Sequence, residues 1–414
     1  MQHQLGQHYS ENKELLINYN TELLKITNKV IVDPFIGEGA MILYYLSLFE
    51  DDVATQMILD QKIMGFDIFP DNIEFIKNKI NSIYGVDFSV LDELFKQRDS
   101  FLDTSLPKNS FVLTNPPYLA KNVVKKLYKD DFDKYFLHKY PKFNDYFEIA
   151  LECYGKFDGL WIVPANLFSS DIMSRCREKT LSRIDNIFIY EKSMFSDTDI
   201  SATTFLIHKD DLCDSIKTFN FIGNSKNINS IDFSFVDNTL MVDWNLIKNT
   251  KNSLNIKQGF IDTKFVEGKK KIKLIDTSYK ENDFKVSDSD LNLLKNNPLI
   301  LRTTDTGTDG GKLGLYTIEE IFGPFKDKNN LPIGLMTKIS SRVYTQLFFP
   351  DTIPVKRQLE LKDEFNKSIN SFRDKYNSLF LTNFKNSSNG KQRKRISYKD
   401  VYALLNNIQN NSKK

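Results

Sequence analysis

Residues 114–118 read TNPPY and follow the apolar run of residues 111–113. Proline cannot donate to a sheet ladder, so the stretch predicts a strand that ends in a rigid turn. Asn115 offers a side-chain carbonyl and Pro116 a main-chain carbonyl, and two such acceptors fit the two hydrogens of one planar amino group. Tyr118 adds an aromatic face on which a flat ring can stack. The pattern indicates chemistry on the amino group of a conjugated ring; a rigid turn beside a solvated tyrosine is the alternative.

The stretch DPFIGEG, residues 33–39, is a candidate ligand loop. Asp33 closes an apolar run, and Gly37 and Gly39 let the backbone turn sharply and let a ligand come close. The dinucleotide pattern GxGxxG is absent, because Ile42 takes the third glycine position, and no phosphate-binding GK[ST] loop follows. We therefore expect a ligand without phosphates. A sulfonium cation joined to a carboxylate and an adenosine fits, with Asp33 balancing positive charge and the loop N–H groups meeting the carboxylate.

Two further aspartates can complete this site. Asp67 ends the apolar run of residues 63–66, where a carboxylate can accept hydrogen bonds from both hydroxyls of a ribose. Capping of the helix that starts near Pro70 is the equally weighted alternative for Asp67. Asp99 lies sixteen residues before Asn115 and can accept the exocyclic amine of an adenine, although a solvated loop aspartate is the more common role for a residue of this type.

Strand-like apolar runs alternate with helix-like segments over the first 210 residues. We predict strands at residues 30–33, 63–67, 111–114, 160–163, 186–190 and 202–207. Strands that alternate with helices form mostly parallel sheets wound on both faces, so the predicted fold class is α/β. The remaining residues are less regular, and a charged helix is predicted from Pro354 to about Tyr376.

Length and charge indicate two domains. A chain of 414 residues exceeds one ordinary core, and we expect domains at residues 1–215 and 240–414. Residues 1–240 hold 25 Lys and Arg against 35 Asp and Glu, a net charge of −10, whereas residues 241–414 carry a net charge of +12. A basic half joined to an acidic one suggests that the second half faces a polyanion, with a solvated lysine-rich domain as an equally weighted alternative.

Several classes of protein are not indicated. The sequence has no stretch of about 18 apolar residues, and its first ten residues lack the basic and apolar regions of a secretory signal. Cys153, Cys176 and Cys213 form no CxxC pair, so neither a zinc site nor a disulfide framework is expected. We expect a cytoplasmic protein with no membrane span and no metal.

Five stretches stand in the order of a known family. They are GQHYS (6–10), DPFIGEG (33–39), FD (66–67), RDSFL (98–102) and TNPPY (114–118). In this order the chain resembles the gamma-class S-adenosylmethionine-dependent N6-adenine DNA methyltransferases of type II restriction-modification systems. The similarity continues over residues 147–170 and 194–207 and covers about the first half of the chain. Ile36 and Glu38 depart from the small residue and Thr that are common in this cofactor loop, and Ser10 replaces the commoner Thr.

The resemblance implies a fold and a site. The implied fold is a Rossmann-like, seven-stranded, mostly parallel methyltransferase sheet, followed by a C-terminal mixed α/β target-recognition domain. The implied S-adenosylmethionine contacts are His8, Tyr9, Ser10, Asp33, Gly37, Glu38, Gly39, Asp67, Asp99 and Ser100. The implied catalytic residues are Asn115, Pro116 and Tyr118, and the implied contacts to the target base are Tyr118 and Phe195.

The resemblance also implies an activity. It is methyl transfer to N6 of an adenine flipped out of a specific double-stranded DNA sequence, in a restriction-modification system whose cognate endonuclease, where one exists, acts separately. The candidates for phosphate contacts are Lys391, Arg393, Lys394 and Arg395, and the candidates for reading bases are Arg302, Arg342 and Arg357. An RNA adenine and a protein glutamine amide are alternative substrates of the same fold, and a non-catalytic DNA-binding subunit is an alternative of another class.

Overall fold

The structure is a computed structural model that describes most of the first half of the chain and parts of the second. The described residues are 13–190, 202–210, 212, 216–222, 228–236, 239–241, 254–259, 267–275, 281–305, 312–322, 333–335, 344–350, 352–376, 382–386 and 392–412. The chain divides into two compact units, the first spanning Met1–Leu240 and the second spanning Met241–Ser387 and Gln392–Lys414.

The first unit contains a ten-stranded sheet. Its strands are β1 (Val30–Asp33), β2 (Ile63–Asp67), β3 (Phe95–Gln97), β4 (Ser110–Thr114), β5 (Asp158–Pro164), β6 (Ile184–Tyr190), β7 (Ala202–Ile207), β8 (Ile216–Ile222), β9 (Ile228–Val236) and β10 (Thr239–Met241). Across the sheet their order is β10-β9-β8-β6-β7-β5-β4-β1-β2-β3.

The central strands are parallel and buried. β3, β2, β1, β4 and β5 run parallel, and β7 runs antiparallel between β5 and β6. Ile31 and Val32 of β1 are both fully buried, as in a strand that is covered on both faces. The six strands predicted from apolar runs are confirmed; β1, β2 and β7 have the predicted bounds, and the others are one to three residues longer.

The sheet is larger than the seven strands expected from the resemblance. β8, β9 and β10 extend it past residue 215, where the sequence placed the end of the first domain. β8 pairs in parallel with β6 and antiparallel with β9. In β8 the buried Phe219 and Phe221 alternate with polar residues, so the sequence lacks the continuous apolar run that marks the central strands.

Helices connect the strands of the first unit. They are α1 (Asn20–Leu24), α2 (Ala40–Leu46), α3 (Asp51–Leu59), α4 (Pro70–Tyr84), α5 (Phe88–Leu94), α6 (Lys121–Leu127), α7 (Lys129–Asp131), α8 (Tyr146–Tyr154), α9 (Asn166–Ser169) and α10 (Ser174–Thr180). Short 3-10 helices cover Lys13–Leu15, Ile17–Tyr19, Asp171–Met173 and Leu181–Arg183, and a π-helix covers Phe132–Lys139.

Helix α4 places one side chain that the site depends on. Pro70 lies in its first turn, where a missing N–H costs nothing, and Gly85 ends the helix at φ +66°. Ile73, Ile76 and Ile80 recur at helical spacing and are buried. This apolar stripe directs Ile76 toward the loop that follows β1.

The second unit is mixed α/β. Its strands are β11 (Lys257–Gly259), β12 (Glu267–Ile275), β13 (Glu281–Val286), β14 (Leu299–Arg302), β15 (Thr304–Asp305), β16 (Gly314–Thr317), β17 (Ile333–Leu335), β18 (Tyr344–Phe348), β19 (Thr382–Asn386) and β20 (Gln392–Arg395). They form three small sheets with the orders β11-β18-β14-β16, β13-β12-β17 and β15-β20-β19. The helices are α11 (Asp288–Lys295), α12 (Ile318–Phe322), α13 (Val355–Tyr376) and α14 (Tyr398–Asn411); α13 confirms the charged helix predicted from Pro354. Among the described helices, none is long and apolar enough to cross a membrane.

Candidate active site

Three predicted site residues meet at the carboxyl edge of the sheet. β4, β1 and β2 lie side by side and run parallel. Asp33 is the last residue of β1, Asp67 is the last residue of β2, and Asn115 follows the last residue of β4. The carboxyl ends of parallel strands share one edge, and open α/β sheets bind their ligands there. Motifs that are far apart in the sequence therefore form one cluster in space.

Asp33 is a buried carboxylate tied to the strand that precedes Asn115. Only 1% of the residue is exposed. Its Oδ1 accepts a hydrogen bond from the Thr114 hydroxyl at 2.7 Å and another from the Phe35 N–H at 3.0 Å. Burial raises the pKa of Asp33 to about 7, because the charged form is costly out of water. A cation beside Asp33 would favour its ionised form near neutral pH.

The ligand loop, residues 33–39, depends on two glycines. Gly37 and Gly39 have φ angles of +51° and +83°, in the left-handed region that favours glycine. A Cβ built on Gly39 would lie 2.1 Å from Cδ1 of Ile76 on α4. The Gly39 N–H donates to the Ile36 carbonyl at 2.8 Å and closes the turn before α2. Gly39 is therefore required both for its backbone angle and for its close packing.

Asp67 joins two loops of the site. Its Oδ2 accepts from the Gly37 N–H at 3.0 Å, and its Oδ1 accepts from the Phe69 N–H at 2.8 Å. Phe69 immediately precedes α4, so this bond lies at the entry to the helix, but it does not engage a helical N–H group as a capping side chain would. A carboxylate has about four lone-pair sites, so these bonds are compatible with the predicted ribose contact. That contact stays a prediction.

Asp99 is engaged by the segment that follows the TNPPY loop. Its Oδ2 accepts from the Tyr135 hydroxyl at 2.8 Å and lies 2.5 Å from Nζ of Lys134. Its Oδ1 accepts from the Phe101 N–H at 3.1 Å. The solvated-loop alternative does not describe this carboxylate. The predicted contact to an adenine amine would have to share Asp99 with Tyr135 and Lys134.

One cavity collects most of the predicted cofactor residues. Ser100 is 4% exposed, and its hydroxyl has no hydrogen-bond partner in the described part of the protein. The predicted residues that line the cavity are Asp33, Gly37, Glu38, Asp67, Asp99, Ser100 and Asn115. Its aromatic walls are Phe35, Phe69, Phe101, Tyr135 and Tyr146. Acidic groups, glycine backbone and aromatic walls together suit a flat, hydroxylated and partly cationic ligand.

The TNPPY loop places Asn115 at the cavity and Tyr118 beneath it. Asn115 is half-buried and lines the cavity, and Pro116 is buried. The Tyr118 hydroxyl lies within hydrogen-bonding distance of two oxygens, the Asn115 side-chain oxygen and, at 2.8 Å, the carbonyl of Ile162. Tyr118 is only 4% exposed, and its ring meets Phe147 edge-on with centroids 6.3 Å apart. The stacking face predicted for Tyr118 is covered in this structure, and its hydroxyl instead holds the Asn115 amide.

Asp145 anchors the far end of the same loop. Its Oδ1 accepts from the Leu119 N–H at 3.0 Å and from the Phe147 N–H at 3.4 Å. Oε2 of Glu148 accepts a hydrogen bond from the Asp145 N–H at 3.1 Å, which completes a capping box at the start of α8. Burial raises the pKa of Asp145 to about 7. Sequence reasoning missed Asp145, although an Asp three residues before a Glu at the start of an apolar run is a known signal for this box.

Arg98 is a second residue that sequence reasoning missed. Its guanidinium lies 3.3 Å from the centroid of the Phe66 ring, and Nη1 donates to the Ser105 carbonyl at 2.9 Å. Its Nε and Nη2 are buried without a hydrogen-bond partner among the described residues, and Arg98 lines the cavity. Burial lowers the pKa of Arg98. The sequence signal that could have identified Arg98 is its position next to Asp99, a predicted cofactor contact.

Several predicted residues lie outside what the structure describes. They are His8, Tyr9, Ser10, Phe195, Arg342 and Lys391. Arg393, Lys394 and Arg395 lie on β20, which pairs antiparallel with β15 and β19. Their predicted phosphate contacts stay predictions.

The structure gives two predicted base readers other partners. Arg302 is 9% exposed, its Nε donates to the Thr304 carbonyl at 3.3 Å, and its Nη1 donates to the Tyr344 hydroxyl at 3.0 Å. Arg357 donates from Nη1 to Glu364 of the same helix at 2.9 Å. Its Nε donates to Gln409 at 2.7 Å, and this bond joins α13 to α14. Both guanidiniums thus serve the packing of the second unit. The base-reading role predicted for either arginine stays a prediction.

No family model matches the sequence, and no curated protein matches it. Solved structures with some similarity include a modification subunit of a putative type I restriction enzyme from Vibrio vulnificus YJ016, with 15% identity over 54% of this chain and 50% of that chain and a TM-score of 0.37. The M protein of the type I restriction enzyme EcoKI shows 13% identity, covers 57% of this chain and 51% of that chain, and has a TM-score of 0.40. The ATP-dependent type ISP restriction-modification enzyme LlaBIII, bound to DNA, shows 11% identity over 75% of this chain and 32% of that chain, with a TM-score of 0.45.

This chain spans about half the length of the first two of these proteins and about a third of the third. At such identities and TM-scores the similarity is distant.

Proposed function

We propose that the protein is a site-specific adenine DNA methyltransferase. It would transfer a methyl group from S-adenosylmethionine to N6 of an adenine flipped out of double-stranded DNA, as the modification enzyme of a restriction-modification system. The observation that carries the proposal is the position of Asn115 at the cavity lined by the ligand loop. Asn115 can accept a hydrogen bond from the target amine, and it lies beside a cavity suited to a nucleoside without phosphates. This arrangement provides the proximity that such a transfer needs.

The residues of the cavity fit S-adenosylmethionine. The rings of Phe35 and Phe101 offer apolar faces to an adenine, and the Asp67 carboxylate is an acceptor suited to ribose hydroxyls. The Ser100 hydroxyl and Nε of Arg98 are buried polar groups without partners in the described part, as expected of groups that a ligand completes. When bound, the cofactor supplies an electrophilic methyl group on a positively charged sulfur. Asp33 and Glu38 are the acidic residues proposed to lie nearest to that charge.

Asn115 and Pro116 are proposed to act on the target amine. The lone pair of adenine N6 is delocalised into the ring, so the nitrogen is a poor nucleophile. Two acceptors for its two hydrogens favour a tetrahedral nitrogen, whose lone pair is no longer delocalised into the ring and can attack the methyl group. The prolines stiffen the loop, so the acceptors are in place before the base arrives. The methylated nitrogen then releases its extra proton to water.

The target adenine has to leave the duplex to reach Asn115. Flipping costs a few kcal/mol. Phe195, outside the described residues, is proposed to offset part of this cost by stacking, which contributes roughly 1–3 kcal/mol per base. Tyr118 can stack only after the side chains that cover its ring have moved, since the residue is 4% exposed.

The second unit is proposed to hold and read the DNA. Residues 241–414 carry a net charge of +12, and the cluster of Lys391, Arg393, Lys394 and Arg395 is proposed to contact phosphates. Arg302, Arg342 and Arg357 are proposed as the candidate base readers. Arg302 and Arg357 are bonded within the unit, so each would have to exchange its present partners for a base. A cognate endonuclease would act as a separate protein.

A methylation assay with purified protein tests the proposal. The protein is incubated with S-adenosylmethionine labelled on its methyl group and, separately, with DNA lacking N6-methyladenine, with total RNA, or with a protein extract. We expect label in DNA alone, recovered as N6-methyladenine. Label in RNA or protein without label in DNA would assign an alternative substrate, and DNA binding without any transfer would indicate a non-catalytic subunit.

A further inference from the structure

A strongly basic stretch follows the TNPPY loop in an otherwise acidic unit. Residues 121–142, called the basic segment below, contain seven Lys and three Asp, whereas residues 1–240 as a whole carry a net charge of −10. The segment consists of α6, α7 and the π-helix Phe132–Lys139, and it begins three residues after Tyr118. A local reversal of charge next to a proposed reaction site indicates an anionic partner at that place.

The inner side of the basic segment is fixed to the wall of the cavity. Val124, Tyr135 and Phe136 are buried, and Tyr135 lines the cavity. Lys139 donates from Nζ to the carbonyls of Phe101 and Leu102 at 2.9 and 3.0 Å. These contacts hold the segment against the site, so its outer side has a defined position beside Asn115.

The outer side presents lysines that have no ion pair among the described residues. Lys125, Lys126, Lys129 and Lys142 are exposed, and none of them forms a salt bridge with another residue in that part of the chain. Paired lysines do occur elsewhere in the first unit: Lys77 lies 2.7 Å from Asp92, and Lys179 lies 2.5 Å from Glu152. Asp130 is also exposed and reduces the local charge without cancelling it.

We propose that the basic segment binds the DNA backbone next to the flipped adenine, with Lys125, Lys126, Lys129 and Lys142 contacting phosphates. This inference rests on the proposed function and assigns a phosphate-binding surface to the first unit, in addition to the basic second unit. Phosphate contacts fix the position of a protein on a duplex but carry no sequence information. The segment would therefore place the target nucleotide at Asn115 while the second unit reads the sequence.

The salt dependence of DNA binding tests this surface. The variant carries Lys125→Gln, Lys126→Gln and Lys129→Gln. The matched control carries Lys25→Gln, Lys108→Gln and Lys156→Gln, three exposed lysines that precede β1, β4 and β5 and so lie at the opposite edge of the sheet. Binding to one DNA duplex and, separately, to an RNA duplex is measured over a series of salt concentrations, and the affinity for S-adenosylmethionine and the melting temperature of each protein are recorded.

We expect the slope of log K against log salt to become shallower by about 0.9 for each phosphate that the protein no longer neutralises, which amounts to about 3 for the segment variant. The control should keep the wild-type slope, and all three proteins should bind S-adenosylmethionine equally. Equal slopes for the two variants would overturn the inference and leave the proposed function standing. If the wild-type protein itself shows no affinity for duplex DNA, the inference and the proposed function fall together. A shallower slope with RNA but not with DNA would assign the surface to another nucleic acid and contradict the inference.

Discussion

The Tyr118 hydroxyl contacts the Asn115 side-chain oxygen and donates to the Ile162 carbonyl at 2.8 Å. A hydroxyl has one hydrogen and donates to one oxygen at a time. When that hydrogen goes to Ile162, the Tyr118 oxygen can accept from Nδ2 of an Asn115 amide turned by 180°. The turned amide leaves Oδ1 on the side away from Tyr118, available to a substrate amine. Tyr118 is thus proposed as a positioning residue for Asn115.

Replacing Tyr118 with Phe removes this hydroxyl and keeps the ring. One net hydrogen bond contributes about 0.5–1.5 kcal/mol, so we expect kcat for methylation to fall roughly 2- to 10-fold. The affinity for S-adenosylmethionine should not change. Tyr19→Phe is the control, because its hydroxyl is also buried and donates at 2.7 Å to the Asn186 carbonyl, away from the site. An unchanged kcat in Tyr118→Phe would show that the hydroxyl does not orient Asn115.

Asp145 should affect catalysis as well as stability. Asp145→Ala removes a helix cap and also the bond to the Leu119 N–H that anchors the TNPPY loop. Asp87→Ala removes bonds only at the start of α5, since its Oδ1 accepts from the Ser89 N–H at 2.8 Å and from the Ser89 hydroxyl at 2.6 Å. We expect Asp87→Ala to lose about 1 kcal/mol of unfolding free energy, and Asp145→Ala to lose about 0.5–1.5 kcal/mol more because it also gives up the Leu119 bond. Only Asp145→Ala should lower kcat, measured at saturating cofactor and DNA; equal kcat values in the two variants would contradict the anchoring role.

The binding of S-adenosylmethionine should strengthen as pH rises through neutrality. The pKa of Asp33 is raised to about 7 by burial, so its ionised fraction rises from about one tenth at pH 6 to about nine tenths at pH 8. A sulfonium cation favours the ionised form, and its Kd should fall about tenfold over this range. Calorimetric titration at pH 6, 7 and 8 measures this Kd.

The neutral thioether product, S-adenosylhomocysteine, serves as the comparison for Asp33. Its Kd should change much less between pH 6 and pH 8, because it carries no charge on sulfur. In Asp33→Asn, the Kd values of the two ligands should depend on pH to the same extent. Parallel pH profiles for both ligands in the wild-type protein would show that Asp33 does not sense the sulfonium.

Replacing Gly39 with alanine should destabilise the protein more than replacing Gly85, a glycine with a similar backbone angle. Gly39 has φ +83° and would place a Cβ 2.1 Å from Ile76, whereas Gly85 has φ +66° and no heavy atom within 4 Å of a built Cβ. Both alanine variants carry backbone strain, of order 1–3 kcal/mol. Gly39→Ala adds overpacking, typically about 1–3 kcal/mol more, so its melting temperature should fall further. Equal losses would show that the loop and α4 separate easily.

The sequence predicted the central sheet and the meeting of its motifs because both follow from local patterns. β1, β2 and β4 are continuous apolar runs, and each ends at a polar residue that parallel pairing brings to one edge. β8 was missed because its buried residues alternate with polar ones and its pairing with β6 is non-local. The predicted carboxyl ends of β1, β2 and β4, by contrast, are confirmed.

The partners of polar side chains were not predictable from the sequence in the same way. Arg302 and Tyr344 are distant in the chain, as are Asp99 and Tyr135, and tertiary packing decides these contacts. The burial of the Tyr118 ring, which Phe147 of α8 meets edge-on, is likewise decided by tertiary packing. Asp145 differs, since its capping box is a local pattern that the sequence does contain.

The most direct test concerns Asn115 and adenine in DNA. A host whose DNA lacks N6-methyladenine expresses either the wild-type protein or Asn115→Ala at equal levels, and its genome is sequenced by a method that reads N6-methyladenine at single bases. We predict methylation at nearly all copies of one sequence word with the wild-type protein and none with Asn115→Ala, which should still bind S-adenosylmethionine. Absence of N6-methyladenine with the wild-type protein, or equal methylation with both, would contradict the role of Asn115 as the acceptor for the target amine.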